Sequence, residues 1–291
     1  MLQEEFDCLV LTRDFTRRDF VRTAVGSGFA AAVLPVTAQT VIKTDTEGLL
    51  AGEVSIPVGD FKMPAFRAAP LNKKNAPLVL VISEVFGVHE HIADVARRFA
   101  KLGYFAVAPE LFARQGDAKA YTDIPKLLSE VVAQASDAQV IGDLDATLAW
   151  AGAQGAATAK TGITGFCWGG RIVWLYCAHN PSVKAGVAWY GRLTGNISAM
   201  NPKRAVDVAG ALKAPVLGLY GGKDNGIPLN TVAQMQDALA TGSPAARESK
   251  FVVFPDADHA FHADYRPSYN RAAADEGWAL CQDWFKRHGV A

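Results

Sequence analysis

The sequence predicts a protein of the α/β class, with a mostly parallel central sheet covered by helices on both faces. Apolar runs of strand length alternate with amphipathic runs of helix length, which is typical of parallel β-α-β crossovers. No repeat or low-complexity linker interrupts the alternation. With 291 residues, half of them hydrophobic, the chain suits one large domain better than two small ones.

The predicted elements follow one another along the chain. A hairpin over 52–58 and 61–69 precedes an apolar strand over 77–83 and a helix over 91–103. Further strands are predicted over 104–111, 160–166, 183–191, 214–222 and 250–257, and further helices over 136–153, 167–178, 228–240 and 269–288. Ligands bind beyond the carboxyl ends of parallel strands, so we expect the chemistry in the loops that follow them.

The first 38 residues have the layout of an export signal. Arg17 and Arg18 precede a mildly apolar stretch over 24–36, which is shorter than the ~20 residues of a membrane span. The segment TRRDFVR resembles the twin-arginine export motif, which implies the export machinery as a partner and a periplasmic location. We expect cleavage near Ala38, no stable membrane partner afterwards, and a single domain over 39–291. A buried amphipathic first helix is the alternative.

The charge balance bears on possible binding partners, and the cysteine content bears on the state of the thiols. Lys plus Arg and Asp plus Glu number 29 each without runs of like charge, so no nucleic acid is predicted as a partner. Cleavage would remove Cys8 and leave Cys167, Cys177 and Cys281, an odd number for an oxidising compartment. Cys177 and Cys281 are predicted to pack as small apolar residues.

Cys167 lies in the motif GFCWG, between a predicted strand and a predicted helix. The motif is G-x-S-x-G with cysteine in place of serine, and its glycines avoid a clash at a sharp turn that exposes the nucleophile. The N-terminus of the following helix favours a thiolate. Cys167 is therefore predicted to be a nucleophile, and the alternative is a small buried turn residue.

His259 and Asp224 are predicted to supply a base and the acid that orients it. Each follows a late strand, so the chain order is nucleophile, acid, histidine. Asp256 and Asp258 lie nearer to His259 in sequence, but residues so close on one loop seldom orient a ring from behind.

The loop over 83–87 is predicted to complete the site. The Val85 amide is the candidate for a second oxyanion donor beside the amide of Trp168. Glu84 either places a carboxylate at the mouth of the site or is a solvated loop residue or helix cap. Tyr190 and the segment over 191–213 are candidates for shaping the pocket.

No metal or cofactor site is predicted. The histidine pairs 89/91 and 259/262 lack a third ligand at suitable spacing. His179 and His288 lie near predicted helix ends, where a cation complements the helix dipole.

Four segments together resemble the dienelactone hydrolase family, also known as carboxymethylenebutenolidases. They lie over 83–114 (SEVFGV to ELFAR), 165–170 (GFCWGG), 219–228 (LYGGKDNGIP) and 256–270 (DADHAFHADYRPSYN), and the resemblance spans about 52–288. It implies an α/β-hydrolase fold without a cofactor. For the site it implies a triad of Cys167, Asp224 and His259, an oxyanion hole of the Val85 and Trp168 amides, and Glu84 in contact with the resting thiol until substrate binds.

The implied activity is hydrolysis of a carboxylic ester or lactone, with dienelactone to maleylacetate as the leading case. Family members hold the substrate carboxylate with two arginines, one of them four residues beyond the catalytic histidine, where this chain has Ala263. Arg266 and Arg114 are the candidates here, so related lactones and activated esters stay open as substrates. The alternatives are a catalytically silent binding protein and a thiol-redox protein, which would need a resolving partner for Cys167.

Overall fold

One eight-stranded sheet forms the centre of the computed structural model, which describes residues 41–291. The strands are β1 (Leu49–Val58), β2 (Phe61–Pro70), β3 (Pro77–Ile82), β4 (Phe105–Pro109), β5 (Ala157–Phe166), β6 (Val183–Trp189), β7 (Val216–Gly221) and β8 (Lys250–Phe254). Their spatial order is β1-β2-β4-β3-β5-β6-β7-β8. The predicted export signal and Cys8 lie outside the described residues.

The sheet is antiparallel at one edge and parallel elsewhere. The hairpin partners β1 and β2 pair antiparallel, and so do β2 and β4, whereas every pair from β4 to β8 is parallel. All residues of β3, β4 and β7 are buried. Because successive side chains point to opposite faces of a sheet, both faces of these strands are covered, as the sequence predicts.

The described helices are α1 (Glu90–Lys101), α2 (Ile124–Glu130), α3 (Asp137–Ala153), α4 (Trp168–His179), α5 (Ala205–Val208), α6 (Leu229–Ala240), α7 (Pro244–Glu248) and α8 (Arg271–Arg287). The five long ones were predicted. The short helices α2, α5 and α7 were not, because a helix of one or two turns shows no apolar period. No helix within 41–291 is long and apolar enough to span a membrane.

The parallel arrangement brings the loops after β3, β5, β6, β7 and β8 to one edge of the sheet. The segment over 191–213 contains α5 and is fastened to the start of α3. There the Asp137 carboxylate accepts two hydrogen bonds from Arg171, at 2.7 and 2.8 Å, and one from the Asn201 amide, at 3.0 Å.

Cys177 and Cys281 are free and fully buried, in α4 and α8. Burial raises the pKa of both thiols far above the ordinary range. Both cysteines therefore pack as apolar residues, which confirms the prediction.

Candidate active site

Cys167 occupies the junction between β5 and α4. Its backbone has φ 54° and ψ −116°, a conformation that is strained for a residue with a side chain. Its N–H donates to the Trp189 carbonyl at 3.0 Å, and its carbonyl accepts from the amides of Gly170 and Arg171, which start the helix. The surrounding hydrogen bonds thus hold the thiol in a sharp turn at the carboxyl edge of the sheet.

Two glycines allow the turn to pack against the neighbouring strand. A Cβ atom on Gly165 would lie 2.3 Å from the Gly169 carbonyl oxygen, and one on Gly169 would lie 2.6 Å from the carbonyl oxygens of Ile82 and Ser83. No side chain fits at either position. The close approach brings the loop after β3, with Glu84 and Val85, next to the cysteine turn.

His259 and Asp224 form a buried pair. The Nδ1 atom of His259 lies 2.7 Å from Oδ2 of Asp224, and the other oxygen, Oδ1, accepts from the amides of Gly226 and Ile227 at 3.0 and 3.1 Å. The Nε2 atom of His259 is buried and has no hydrogen-bond partner among the described residues. With its proton on Nδ1, the ring presents Nε2 as a basic nitrogen.

The other two aspartates of the histidine loop do not contact the ring. Asp256 is exposed and pairs with Lys223 at 2.8 Å. Asp258 accepts from the backbone N–H of His259 at 2.7 Å. Asp224 is therefore the carboxylate that orients the imidazole.

The amides of Val85 and Trp168 are available as donors. Trp168 is the first residue of α4, so its N–H has no acceptor within the helix. In the loop after β3, Gly87 donates to the Glu84 carbonyl and Val88 donates to the Glu110 carboxylate at 2.8 Å. Neither the Val85 nor the Trp168 amide finds an acceptor in the part of the chain that the structure describes.

Glu84 is buried, with 1% of its surface exposed, so it is not a solvated loop residue. Its Oε2 atom accepts a hydrogen bond from the Tyr265 hydroxyl and lies 3.5 Å from Nε2 of His89. Burial raises the pKa of this carboxyl, but the contact with His89 and the charges of His89, Arg266 and His91 outweigh burial and lower the pKa to about 2. Glu84 is therefore an anion at neutral pH.

Tyr190 and Arg266, both candidates for the pocket, lie in this neighbourhood. The Tyr190 ring packs edge-on against His259 with centroids 5.2 Å apart, and its hydroxyl has no hydrogen-bond partner among the described residues. Burial, together with the charges of Glu84 and Cys167, raises the pKa of Tyr190. Arg266 acts electrostatically on both Glu84 and Tyr190.

Arg114, the other arginine that the sequence suggested for the pocket, is paired with an acidic side chain of α3. Its guanidinium donates to the buried Asp143 carboxylate of α3 at 2.5 Å and lies 4.2 Å from the centroid of the Phe61 ring. Asp143 neutralises its charge, so Arg114 fastens the β1–β2 hairpin to α3. Its role as a substrate contact stays a prediction.

The sequence did not reveal the polar residues that surround Glu84. It suggested His89 and His91 only as metal ligands, and Tyr265 had no assigned role. In the structure His91 Nδ1 lies 3.0 Å from Asp264 Oδ1, and no cluster within 41–291 has the arrangement of a metal site. Tyr265 lies 181 residues from Glu84 in the chain, so no local pattern could have indicated the contact.

The strand order, the strained turn after β5 and the histidine-aspartate pair after β8 and β7 together define an α/β-hydrolase. The model of the dienelactone hydrolase family matches residues 63–289. The chain belongs to the dienelactone hydrolase family.

Individual relatives agree with this assignment. A protein of Methylorubrum extorquens with the provisional name carboxymethylenebutenolidase is 59% identical over 277 residues, which cover 95% of this chain and 94% of the relative. An Escherichia coli K12 protein with the same provisional name is 50% identical over 268 residues, covering 92% and 97%. A crystal structure from Klebsiella pneumoniae, provisionally described as a dienelactone hydrolase, matches with a TM-score of 0.80 at 52% identity, covering 82% of this chain and 99% of that chain. The protein is a hydrolase that acts on ester bonds.

Proposed function

We propose that the protein hydrolyses enol-lactones of the dienelactone type, or related lactones and activated esters, with Cys167 as nucleophile and His259 as base. Asp224 orients the base. The observation that carries the proposal is the buried Asp224–His259 pair, 2.7 Å between Oδ2 and Nδ1, with Nε2 left without a hydrogen-bond partner among the described residues. The strained turn at Cys167 supports it, because such turns present a nucleophile at the sheet edge.

In the first half-reaction Glu84 releases the thiol as substrate binds, and the thiol proton passes to Nε2 of His259. The sulfur then bonds to the carbonyl carbon, and the carbonyl electron pair moves to oxygen. The resulting oxyanion accepts hydrogen bonds from the Val85 and Trp168 amides. Collapse of this intermediate breaks the ester C–O bond, and the departing enolate takes the proton from His259, which leaves a thioester on Cys167.

In the second half-reaction water attacks the thioester. His259 takes a proton from the water at Nε2, and Asp224 stabilises the imidazolium that forms. Collapse breaks the C–S bond, releases the carboxylic acid and returns the proton to the thiol. The freed enol becomes a ketone by proton transfer to carbon.

The nucleophile restricts the leaving group. A thiolate departs from a tetrahedral intermediate more easily than an alkoxide does. The intermediate formed from an alkyl ester therefore expels the thiolate and returns to the starting ester. Enolates and aryloxides are stabilised anions and depart first. We therefore expect enol-lactones and aryl esters to be hydrolysed faster than ethyl esters.

Hydrolysis of a nitrophenyl acetate by the purified protein tests the role of Cys167. Cys167→Ala should abolish turnover while circular dichroism stays unchanged, and mass spectrometry of the quenched wild-type reaction should find the acetyl group on the Cys167 peptide. Cys281→Ala is the matched control, because Cys281 is buried in α8 away from this chemistry, and it should retain activity. Turnover by Cys167→Ala would contradict the proposal, as would a wild type without any turnover.

The proposal extends to the periplasm as the place of action, with the twin-arginine machinery as the export partner. It rests on the TRRDFVR segment over 16–22, followed by a mildly apolar stretch over 24–36 and small residues at 36–38. Cell fractionation is the test. The wild type should be periplasmic and a variant with Arg17→Lys and Arg18→Lys should stay in the cytoplasm; equal distribution of the two would contradict the proposal.

A further inference from the structure

Tyr265 joins two loops that meet at the candidate site. It lies on the loop that follows β8 and carries His259, while Glu84 lies on the loop that follows β3 and carries Val85. The Tyr265 hydroxyl donates a hydrogen bond to Glu84 Oε2. A carboxylate with only 1% exposure needs such a donor, because ionised groups are costly to bury without hydrogen bonds.

Tyr265 is the closer of the two groups at this oxygen. Nε2 of His89 lies 3.5 Å from Glu84 Oε2, longer than an ordinary N–H···O hydrogen bond. The ring of Tyr265 is itself fixed by packing, edge-on against His89 at 4.8 Å and tilted against His91 at 5.3 Å. His91 in turn is held by Asp264 at 3.0 Å. The direction of the tyrosine hydroxyl is therefore determined by its surroundings.

The two oxygens of Glu84 differ in their contacts. Oε2 has the donor described above, whereas Oε1 is buried without a hydrogen-bond partner among residues 41–291. A buried oxygen of an ionised carboxylate that lacks a donor calls for a functional explanation. The free oxygen is the one that can change partners during a reaction.

Charged and titratable groups from three elements face Glu84. They are His89 and His91 at the start of α1, His262, Tyr265 and Arg266 on the loop after β8, and Tyr190 directly after β6. Burial lowers the pKa of His89. The contact with Glu84 and its negative charge act in the opposite direction and raise the pKa of His89.

We propose that Tyr265 is a positioning residue for Glu84, whose hydroxyl holds the side chain as a carboxylate by Oε2 and leaves Oε1 for the reacting groups. The proposal rests on the function proposed above, in which ionised Glu84 contacts and then releases the Cys167 thiol. Tyr265 also fixes the loop of His259 to the loop of Val85, so base and oxyanion donor keep one relative position.

Tyr265→Phe is the variant that tests this role. Phenylalanine keeps the ring and its packing but cannot donate to the carboxylate, so the proton affinity of Glu84 should rise about ten- to a hundredfold. The ratio of kcat/KM in the variant to kcat/KM in the wild type should therefore stay constant above pH 6 and fall as the pH is lowered from 6 to 3, because Glu84 becomes protonated in the variant before it does in the wild type. Carbon-13 NMR of labelled glutamate, with Glu84→Gln to assign the signal, should show the Glu84 titration moved to higher pH.

Tyr269→Phe is the matched control, a second tyrosine on the same loop whose electrostatic neighbours are Asp275, Asp264, Arg98 and Arg271 rather than Glu84. Its pH profile should match that of the wild type. A parallel profile in Tyr265→Phe, whether at full or at uniformly reduced activity, would overturn the proposal, since a merely structural role lowers activity equally at all pH values.

Two further results keep the test decisive. If Tyr265→Phe does not fold, the NMR titration of the wild type decides alone, and a Glu84 signal that titrates above pH 5 would overturn the proposal. The NMR readout does not require turnover, so failure of the triad proposal, seen as activity in Cys167→Ala, is distinguishable from failure of the Tyr265 proposal.

Discussion

Asp224 uses its two carboxylate oxygens for two different contacts. Oδ1 accepts from the amides of Gly226 and Ile227, which holds the side chain in its own loop, and Oδ2 accepts a hydrogen bond from Nδ1–H of His259. The imidazole is thereby held in one tautomer. The availability of Nε2 as a base therefore depends on Asp224 Oδ2, which lies on the opposite side of the ring.

Asp224→Asn should lower kcat on a nitrophenyl acetate by about 10³–10⁴-fold and change KM little. The asparagine side-chain carbonyl can keep the hydrogen bonds from the two backbone amides. Its NH₂ group then faces Nδ1, so the imidazole must carry its proton on Nε2. Steady-state kinetics measure the effect. Asp256→Asn, at an exposed surface pair, is the control and should leave kcat unchanged; a tenth of wild-type kcat in Asp224→Asn would contradict the orienting role.

The contact between the cysteine turn and β3 matters at the scale of secondary-structure elements. Because a Cβ atom on Gly169 would lie 2.6 Å from two carbonyl oxygens, Gly169→Ala must push the first turn of α4 away from the end of β3. We expect a loss of about 3 kcal/mol in the free energy of unfolding, the upper part of the usual range for overpacking. Urea denaturation measures this loss, and activity should fall with it.

Gly142→Ala is the matched control within a helix. Gly142 lies inside α3, and a Cβ atom there would meet nothing within 4 Å. Alanine is the better helix former, so this variant should gain roughly 0.5–1 kcal/mol in stability. Equal effects of the two substitutions would show that the close approach at Gly169 is not what limits the packing of α4.

Buried acids connect the candidate site to the stability of the whole molecule. Burial raises the pKa of both Glu84 and Asp264, but hydrogen bonds and positive charges outweigh it. They lower the pKa of Glu84 to about 2 and also lower that of Asp264, which accepts hydrogen bonds from His91, Arg98 and the Ile42 amide. A carboxyl whose pKa is depressed by folding stabilises the folded state above its unfolded pKa. That stabilisation is lost as the pH falls towards the folded pKa.

For Glu84, the shift from 4.5 to about 2 corresponds to stability on the order of 3 kcal/mol, lost between those pH values. Urea denaturation at pH 6 and pH 3 should therefore show a smaller drop in unfolding free energy for Glu84→Gln than for the wild type. The unfolding free energy of the control Glu53→Gln, at an exposed position of β1, should fall between these pH values by as much as that of the wild type. The same drop in Glu84→Gln would mean that Glu84 is not held as an anion.

The sequence alone determined the order and type of the long elements, because apolar periodicity is a local property of the chain. It also placed a cysteine after β5, an aspartate after β7 and a histidine after β8, and parallel topology brings such positions together. The catalytic roles of these residues stay predictions. The predicted starts of two strands were too late, since β1 begins at Leu49 and β5 at Ala157.

Only the tertiary structure decided which charges face the site. Arg114 and Arg266 were equal candidates for the pocket on sequence grounds. In the structure the charge of Arg114 is neutralised by Asp143 of α3, whereas the charge of Arg266 helps to lower the pKa of Glu84. The hydrogen bond from Tyr265 to Glu84 joins loops 181 residues apart. Burial and pairing of polar groups depend on which distant segments pack together, and no local pattern of residues contains that information.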